Sequence, residues 1–247
     1  MKAKRLLQLA HRWLGLILGA QVLLWMMSGV IMSWFHISLV RGETNTALTF
    51  SPELEARSYA APGGAIAQME GVTEVTLRTF LGKPVYEVKA QNGIALFSAR
   101  TGAKISPITE KQVREVAKTD YVGEAQIGAV KRLTNPPAEY RGSTPVWQVT
   151  YEDRLQTRLY ISPQTGKVEA RRNRIWRLYD FFWMLHIMDY DERDNFNNLL
   201  LRAASATGLL FALSGLGLVI VRLRSGRYLP GANVSASMRD AEKKPAS

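Results

Sequence analysis

Cysteine is absent from this 247-residue chain, and histidine occurs three times. The lack of cysteine excludes disulfides, thiolate zinc sites and cysteine-ligated iron–sulfur clusters. The sequence also contains no His-Glu-x-x-His, Gly-x-Ser-x-Gly, phosphate-binding loop or Gly-x-Gly-x-x-Gly motif. A chain of this kind that transfers electrons therefore needs a donor from outside, either a membrane quinol or a separate reductase.

Charged residues are missing from two long segments. Residues 13–40 form an uncharged run of 28, and residues 203–221 form one of 19 that extends to residue 199 if Arg202 lies at the interface. About 20 apolar residues cross the hydrocarbon core, and a lipid environment favours helices. The first run could instead be a cleavable signal peptide, but it is longer than a signal core and no small-x-small site closes it. We therefore expect two membrane-spanning helices, the first retained as an anchor.

Positive charge is concentrated at the two ends. Residues 1–12 and residues 222–247 each carry +4 of the total +11. The positive-inside rule then predicts cytoplasmic termini, and places the region between the spans outside, in the periplasm of a bacterial inner membrane. No nucleic-acid-binding motif accompanies the basic composition, so we expect the lipid bilayer and not a nucleic acid as a partner.

The region between the spans carries strand signals. Residues 73–80, 83–90 and 94–98 are rich in β-branched and aromatic side chains, and Gly82-Lys83 and Asn92-Gly93 predict hairpin turns between them. A short helix is predicted at 110–118, with Thr109 as its N-cap and Val113 and Val116 on one face.

A second copy of this pattern follows. Pro84-Val85-Tyr86-Glu87-Val88 resembles Pro145-Val146-Trp147-Gln148-Val149, and Thr101-Gly102-Ala103-Lys104 resembles Thr165-Gly166-Lys167-Val168. The spacing between the two motifs is three residues longer in the second copy, which a hairpin loop can absorb. We expect two degenerate α+β units packed together.

An aromatic-rich segment leads into the second span. Residues 174–190 predict an amphipathic helix at the outer membrane interface, with Arg177 and Asp180 on one face and His186 nearly opposite. An acidic turn at 189–194 follows. Asp189 and Asp191 are candidate contacts for ferric iron, although an exposed turn that supplies negative charge to the start of the next helix is the simpler interpretation and the one we favour.

The three histidines are the candidate metal ligands: His11, His36 and His186. His11 and His36 lie at opposite ends of the first span, about 37 Å apart at helical rise and on one helical face, so they cannot share one metal. His36 and His186 both lie at the outer boundary and could. Small residues form a groove beside them at Gly15, Gly19, Gly29, Gly208 and Gly215.

Histidines beside a small-residue groove suit a haem with axial imidazoles, and Met32, Met184 and Met188 are weaker axial candidates. The same features also arise from close helix packing and from ordinary interfacial or core histidines. Two helices make a thin haem pocket, so a homodimer with a four-helix bundle is the expected assembly.

The chain resembles the PepSY-associated transmembrane family. The resemblance rests on His11-Arg12-Trp13-Leu14-Gly15-Leu16, Ser28-Gly29, Leu185-His186 and Ser214-Gly215-Leu216, while the twin strand sets resemble PepSY domains. It implies a haem b protein like the short two-span ferric reductases of that family, which release iron from ferric siderophores in the periplasm and support iron uptake. His11 and His186 match the family's histidine positions; the role of His36 rests on geometry alone. Some members have no demonstrated redox role, so a non-redox module that binds periplasmic proteins or peptides stays open.

The sequence thus predicts a membrane α-helical protein, with two spans per chain and a four-helix bundle in a dimer, plus an α+β periplasmic domain of two PepSY-like units. Its predicted parts are a cytoplasmic tail at 1–12, a first span at 13–40, the tandem domain at 41–173, an interfacial helix and turn at 174–198, a second span at 199–221 and a disordered cytoplasmic tail at 222–247.

Overall fold

The structure is a computed structural model that describes residues 2–47 and 59–224, and it divides into two compact units. Met1–Val30 and Trp183–Ser247 form the first, here called the membrane unit, and Ile31–Phe182 form the second, the globular unit. The elements in chain order are α1 Lys2–Trp34, α2 Ile37–Val40, α3 Gly63–Ile66, β1 Val72–Phe80, β2 Lys83–Ala90, β3 Gly93–Ser98, α4 Glu110–Asp120, β4 Ile127–Leu133, β5 Val146–Tyr151, β6 Arg158–Ile161, β7 Val168–Arg172, α5 Arg174–Ile187 and α6 Leu199–Arg224. The predicted cytoplasmic tail at 222–247 lies almost wholly outside the described residues.

Two helices are long and apolar enough to cross a membrane. The spanning stretches are Gly15–Trp34 in α1 and Leu199–Gly217 in α6, with buried fractions of 6% and 0%. Apolar helices that the protein itself leaves uncovered need lipid or another chain around them, unlike the buried core helix of a soluble protein. The two predicted spans therefore agree with the structure.

The first helix ends sooner than the predicted span. α1 stops at Trp34, and His36 has φ −63° and ψ 135°, an extended conformation that starts the separate short helix α2. The predicted span at 13–40 thus runs six residues beyond α1. Because His36 lies outside that helix, helical periodicity does not place it on the same face as His11.

The globular unit contains two antiparallel sheets with the orders β1-β2-β3 and β4-β5-β6-β7. The first three predicted strands match β1, β2 and β3 to within a residue or so. β1 and β2 are joined by Leu81-Gly82, whose φ values of +48° and +73° fit a type I′ hairpin turn. The turns therefore lie one residue before the Gly82-Lys83 and Asn92-Gly93 pairs that predicted them.

The same backbone turn occurs once after β3 and once after β6. The N–H of Gly102 donates to Ser98 O at 2.8 Å, and the N–H of Gly166 donates to Ser162 O at 2.9 Å. Both glycines have positive φ, +71° and +67°, a conformation that favours glycine. This match supports the predicted repeat, since one local structure recurs at the two Thr-Gly motifs.

Helix α4 begins as the sequence predicts. Thr109 and Gln112 form a capping box, in which each side chain bonds the backbone N–H of the other residue. Val113 and Ala117 are fully buried, and Val116 packs against the same cluster. That core also takes side chains from both sheets, including Phe80, Val85, Leu96, Val149, Leu159 and Ile161. One apolar core therefore joins the two strand sets and α4.

A buried carboxylate anchors α5 to the second sheet. Glu139 accepts hydrogen bonds from Arg158 at 2.9 Å, Tyr160 at 2.7 Å and Arg177 at 3.1 Å. On the same side of α5, Asp180 accepts from Arg141 at 3.2 Å. The prediction that Arg177 and Asp180 share a helical face is confirmed, because both bind the 139–141 segment.

Burial alone raises the pKa of Glu139, but the Tyr160 and Arg158 hydrogen bonds and the nearby positive charge outweigh it. The pKa is therefore held below its ordinary 4.5. A carboxyl group with a depressed folded pKa stabilises the fold above its unfolded pKa, and this contribution is lost as the pH falls through the folded value.

Replacing Val149 with alanine tests the shared core. Val149 is 0% exposed, whereas Val122 is 66% exposed. We expect Val149→Ala to lower the free energy of unfolding by about 2 kcal/mol, through lost apolar burial and a residual cavity. Chemical denaturation of the full-length protein in detergent measures this, with Val122→Ala as the matched control. Equal losses from the two variants would contradict the core assignment.

Replacing Glu139 with glutamine tests the buried carboxylate. The wild-type free energy of unfolding should fall as the pH drops below about 4.5, and Glu139→Gln should flatten that dependence. At neutral pH the variant should be less stable by about 1–3 kcal/mol, because its arginine partners lose a charged acceptor. Denaturation at a series of pH values measures both effects, and exposed Glu124→Gln is the control. An unchanged pH profile in Glu139→Gln would rule out this role.

Candidate functional site

His186 lies in the last turn of α5, within the membrane unit. Two residues of α1 contact it, one at its backbone oxygen and one at its imidazole ring. The indole Nε1–H of Trp25 donates to the backbone oxygen of His186 at 2.9 Å. The Oγ of Ser28 lies 2.9 Å from His186 Nδ1, and the same hydroxyl donates to Trp25 O at 2.9 Å. Ser28 is 0% exposed. The imidazole is therefore fixed in a polar cluster between α1 and the end of α5.

The spacing of these partners follows from helix geometry. Trp25 and Ser28 are three residues apart and so share one side of α1. A serine inside a helix commonly bonds back to a carbonyl three or four residues earlier, as Ser28 does. The carbonyl of His186 is among the last four of α5, which have no partner within the helix. Trp25 supplies one, as a low-dielectric environment requires.

Asn198 bonds the C-terminal end of α5 and the N-terminal end of α6. Its Nδ2 donates to Ile187 O at 2.9 Å, while its Oδ1 accepts from the N–H of Leu201 at 2.8 Å. The second bond is that of an N-cap residue. Met188, with φ +54°, takes the left-handed conformation that commonly follows a helix. One amide side chain therefore links the two helices.

The first carboxylate of the acidic turn, that of Asp189, accepts hydrogen bonds from backbone N–H groups of the same turn. Asp189 Oδ2 accepts from the N–H of Asn195 at 2.9 Å and from that of Asp194 at 3.1 Å. These backbone bonds hold the pKa of Asp189 below its usual range. Asp191 is exposed. Among the side chains that the structure describes, which do not include that of His11, no group of three or more His, Asp or Glu could hold a metal ion. The first turn of α6 bonds the neutral Asn198 and not an acidic residue of this turn.

His36 caps α2 instead of extending α1. The N–H of Ser38 donates to His36 Nδ1 at 3.4 Å, and the Ser38 Oγ lies 2.6 Å from the same nitrogen. Nδ1 therefore acts as an acceptor, which leaves the proton of a neutral ring on Nε2. His36 belongs to the globular unit and His186 to the membrane unit. Their sharing of one centre stays a prediction.

The remaining predicted residues lie on α1 and α6. His11 is in α1, but its side chain is outside the described part of the chain. A Cβ added to Gly15 would lie 3.9 Å from Phe211 Cζ, so the two helices approach there. At Gly19, Gly29, Gly208 and Gly215 an added Cβ would meet no described atom within 4 Å. These glycines thus leave open faces in the single chain.

Sequence reasoning missed Trp25 and Ser28, the partners of His186, and Asn198, the partner of Ile187. A signal was present, because Gln21, Trp25 and Ser28 follow the i, i+4, i+7 spacing of one helical face within an apolar run. Gln21 Nε2 is buried with no hydrogen-bond partner in the part of the chain that the structure describes. Polar residues on one stripe of a spanning helix mark the side that faces protein.

Comparison with known proteins settles the family. The PepSY-associated TM region family matches residues 7–241. This chain belongs to that family. The match confirms the resemblance drawn from the His-Arg-Trp and Ser-Gly motifs, and with the two apolar helices it makes the chain a membrane protein. No curated protein and no solved structure matches this PepSY-associated TM protein.

In this PepSY-associated TM protein, Asn198→Ala tests the link between α5 and α6. The change removes an N-cap and a donor to the end of α5, so we expect the free energy of unfolding to fall by about 1–2 kcal/mol. Thermal unfolding in detergent, with amide exchange of the α5 end as a local readout, measures the loss. Adjacent, exposed Asn197→Ala is the matched control. Faster exchange in both variants alike would contradict a specific role for Asn198.

Proposed function

We propose that this protein is a haem-binding reductase of the bacterial inner membrane, which passes electrons across the membrane to ferric iron or a ferric siderophore in the periplasm and so supports iron uptake. The observation that supports this function best is the state of His186. Its Nδ1 is bonded to Ser28, while its Nε2 has no hydrogen-bond partner among the side chains and backbone groups that the structure describes. Metal-binding histidines commonly show this arrangement, in which one nitrogen is held and the other is left for the metal.

The donor set of the chain is consistent with a b-type haem. Histidine is an axial ligand that proteins use for haem iron, and this chain has no cysteine to compete for it. Gly19, Gly29, Gly208 and Gly215 leave room beside the helices, where a flat macrocycle or another helix can approach. His186 would be one axial ligand, and His11 and His36 remain the other candidates.

A second copy of the chain would complete the site. Two spanning helices cannot enclose a cofactor as large as haem, whereas a homodimer would provide four. The small buried fractions of the spanning stretches, 6% and 0%, leave surface for such a partner.

When bound, haem supplies a one-electron iron couple that the side chains of the protein lack. The chain's own residues would bind it through Nε2 of His186, orient that ring through Ser28 and exclude water with the apolar faces of α1 and α6. Electrons would come from a quinol or a separate reductase, since no dinucleotide motif is present in the sequence. With +4 at each end of the chain, both termini would lie in the cytoplasm and the globular unit in the periplasm.

The visible spectrum of the purified full-length protein tests this proposal. After expression with adequate haem, we expect a Soret band, and His186→Ala should lower haem occupancy at least about tenfold because an axial ligand is lost. His11→Ala and His36→Ala sort the remaining candidates, and ferric-siderophore reduction should fall with occupancy. Wild-type protein without a Soret band would refute the haem proposal.

A non-redox binding module is the second candidate, and a cavity in the globular unit favours it. The cavity, of about 400 Å³, is lined in part by Arg114, Lys118 and the stacked rings of Tyr121 and Tyr151, whose centroids are 4.2 Å apart. Such a lining suits a small anionic or aromatic group of a bound peptide. Under this function, histidine replacements would leave activity intact while Arg114→Ala would impair it.

A further inference from the structure

We propose that Ser28 is a positioning residue which fixes the tautomer of His186, with the proton on Nδ1 and the lone pair on Nε2. The tautomer follows from the contacts of the protein without any ligand. Its consequence for haem rests on the proposed function.

The hydroxyl proton of Ser28 decides the direction of the contact. A serine hydroxyl has one proton to donate and lone pairs with which to accept. Ser28 Oγ donates to Trp25 O at 2.9 Å, in the back-bond that a helical serine commonly makes. With its proton used in that bond, Ser28 Oγ can only accept a hydrogen bond from His186 Nδ1, which lies 2.9 Å away. The imidazole must then donate from Nδ1.

The opposite tautomer would form fewer hydrogen bonds. With the proton on Nε2, Ser28 would have to turn its own proton to Nδ1 and give up the bond to Trp25 O. That state has one hydrogen bond where the proposed state has two. It also leaves an Nε2–H without an acceptor among the described residues. Because Ser28 is 0% exposed, water does not compensate for the lost bond.

His36 provides an internal contrast. There Nδ1 accepts from the backbone N–H of Ser38, so a neutral His36 ring carries its proton on Nε2. The two histidines are therefore held in opposite tautomers. Nδ1 of His186 donates to a hydroxyl whose proton is bonded to Trp25 O. Nδ1 of His36, by contrast, accepts from the Ser38 N–H and also from the Ser38 hydroxyl, 2.6 Å away. In the proposed tautomer Nε2 of His186 presents a lone pair, the form in which an imidazole nitrogen binds iron. His36 would bind through Nε2 only after its ring proton moves to Nδ1.

Nitrogen chemical shifts of ¹⁵N-histidine-labelled, haem-free full-length protein in detergent test the proposal directly. For the neutral rings we expect the Nδ1–H form for His186 and the Nε2–H form for His36. Ser28→Ala should shift His186 towards the Nε2–H form. Ser28→Thr should retain the wild-type tautomer, since a threonine hydroxyl makes the same back-bond. Exposed Ser205→Ala on α6 is the control and should leave both signals unchanged.

A wild-type His186 in the Nε2–H form would overturn the proposal, and this measurement requires no variant to fold. An unchanged His186 signal in folded Ser28→Ala would overturn it as well.

Haem titration gives a second readout. We expect Ser28→Ala to weaken haem binding about 10-fold to 100-fold, the range seen when a partner of a ligating histidine is removed, and Ser28→Thr to restore it. Equal affinities for wild type and Ser28→Ala would overturn the positioning role. If wild-type protein binds no haem, the proposed function fails while the tautomer result stands by itself.

Discussion

Hydrogen bonding where water is scarce is the constraint on which the membrane unit depends. The end of α5 leaves backbone carbonyls that the helix itself cannot satisfy. Trp25 of α1 bonds the carbonyl of His186, and Asn198 before α6 bonds that of Ile187. Each of these bonds also holds one helix against another. The polar contacts that the bilayer demands are therefore the same contacts that fix the position of the candidate ligand.

The globular unit is held together mainly by the burial of apolar side chains. One core joins both sheets and α4. Charge then sets the finer arrangement. Glu87 binds Arg78 at 2.6 Å on the first sheet and Lys167 at 2.7 Å before β7, while Glu139 holds Arg158 and Arg177. A buried carboxylate such as Glu139 is costly unless fully partnered, so its ion pairs specify one geometry.

The proposed chemistry and the family assignment meet at Ser28-Gly29 and Leu185-His186. These motifs carried the resemblance in the sequence, and in the structure Ser28 and His186 are in direct contact. His186 can have both a structural and a functional role, since its Nδ1 bonds Ser28 of α1 while its Nε2 can still bind a metal. The globular unit would then serve as a docking or shielding element, with chemistry assigned to the membrane unit.

Local patterns alone determined much of this protein. The uncharged runs gave both spans, strand propensity gave β1, β2 and β3, and the Thr109-x-x-Gln112 box gave the start of α4, because each depends on neighbours within a few residues. The sequence could not show that α1 ends before His36, nor that Trp25 and Ser28 meet His186. The contact of Trp25 with His186 joins residues 161 positions apart, and that of Ser28 with His186 joins residues 158 positions apart, so both depend on tertiary packing. Which nitrogen of which histidine is free is therefore a property of the folded chain.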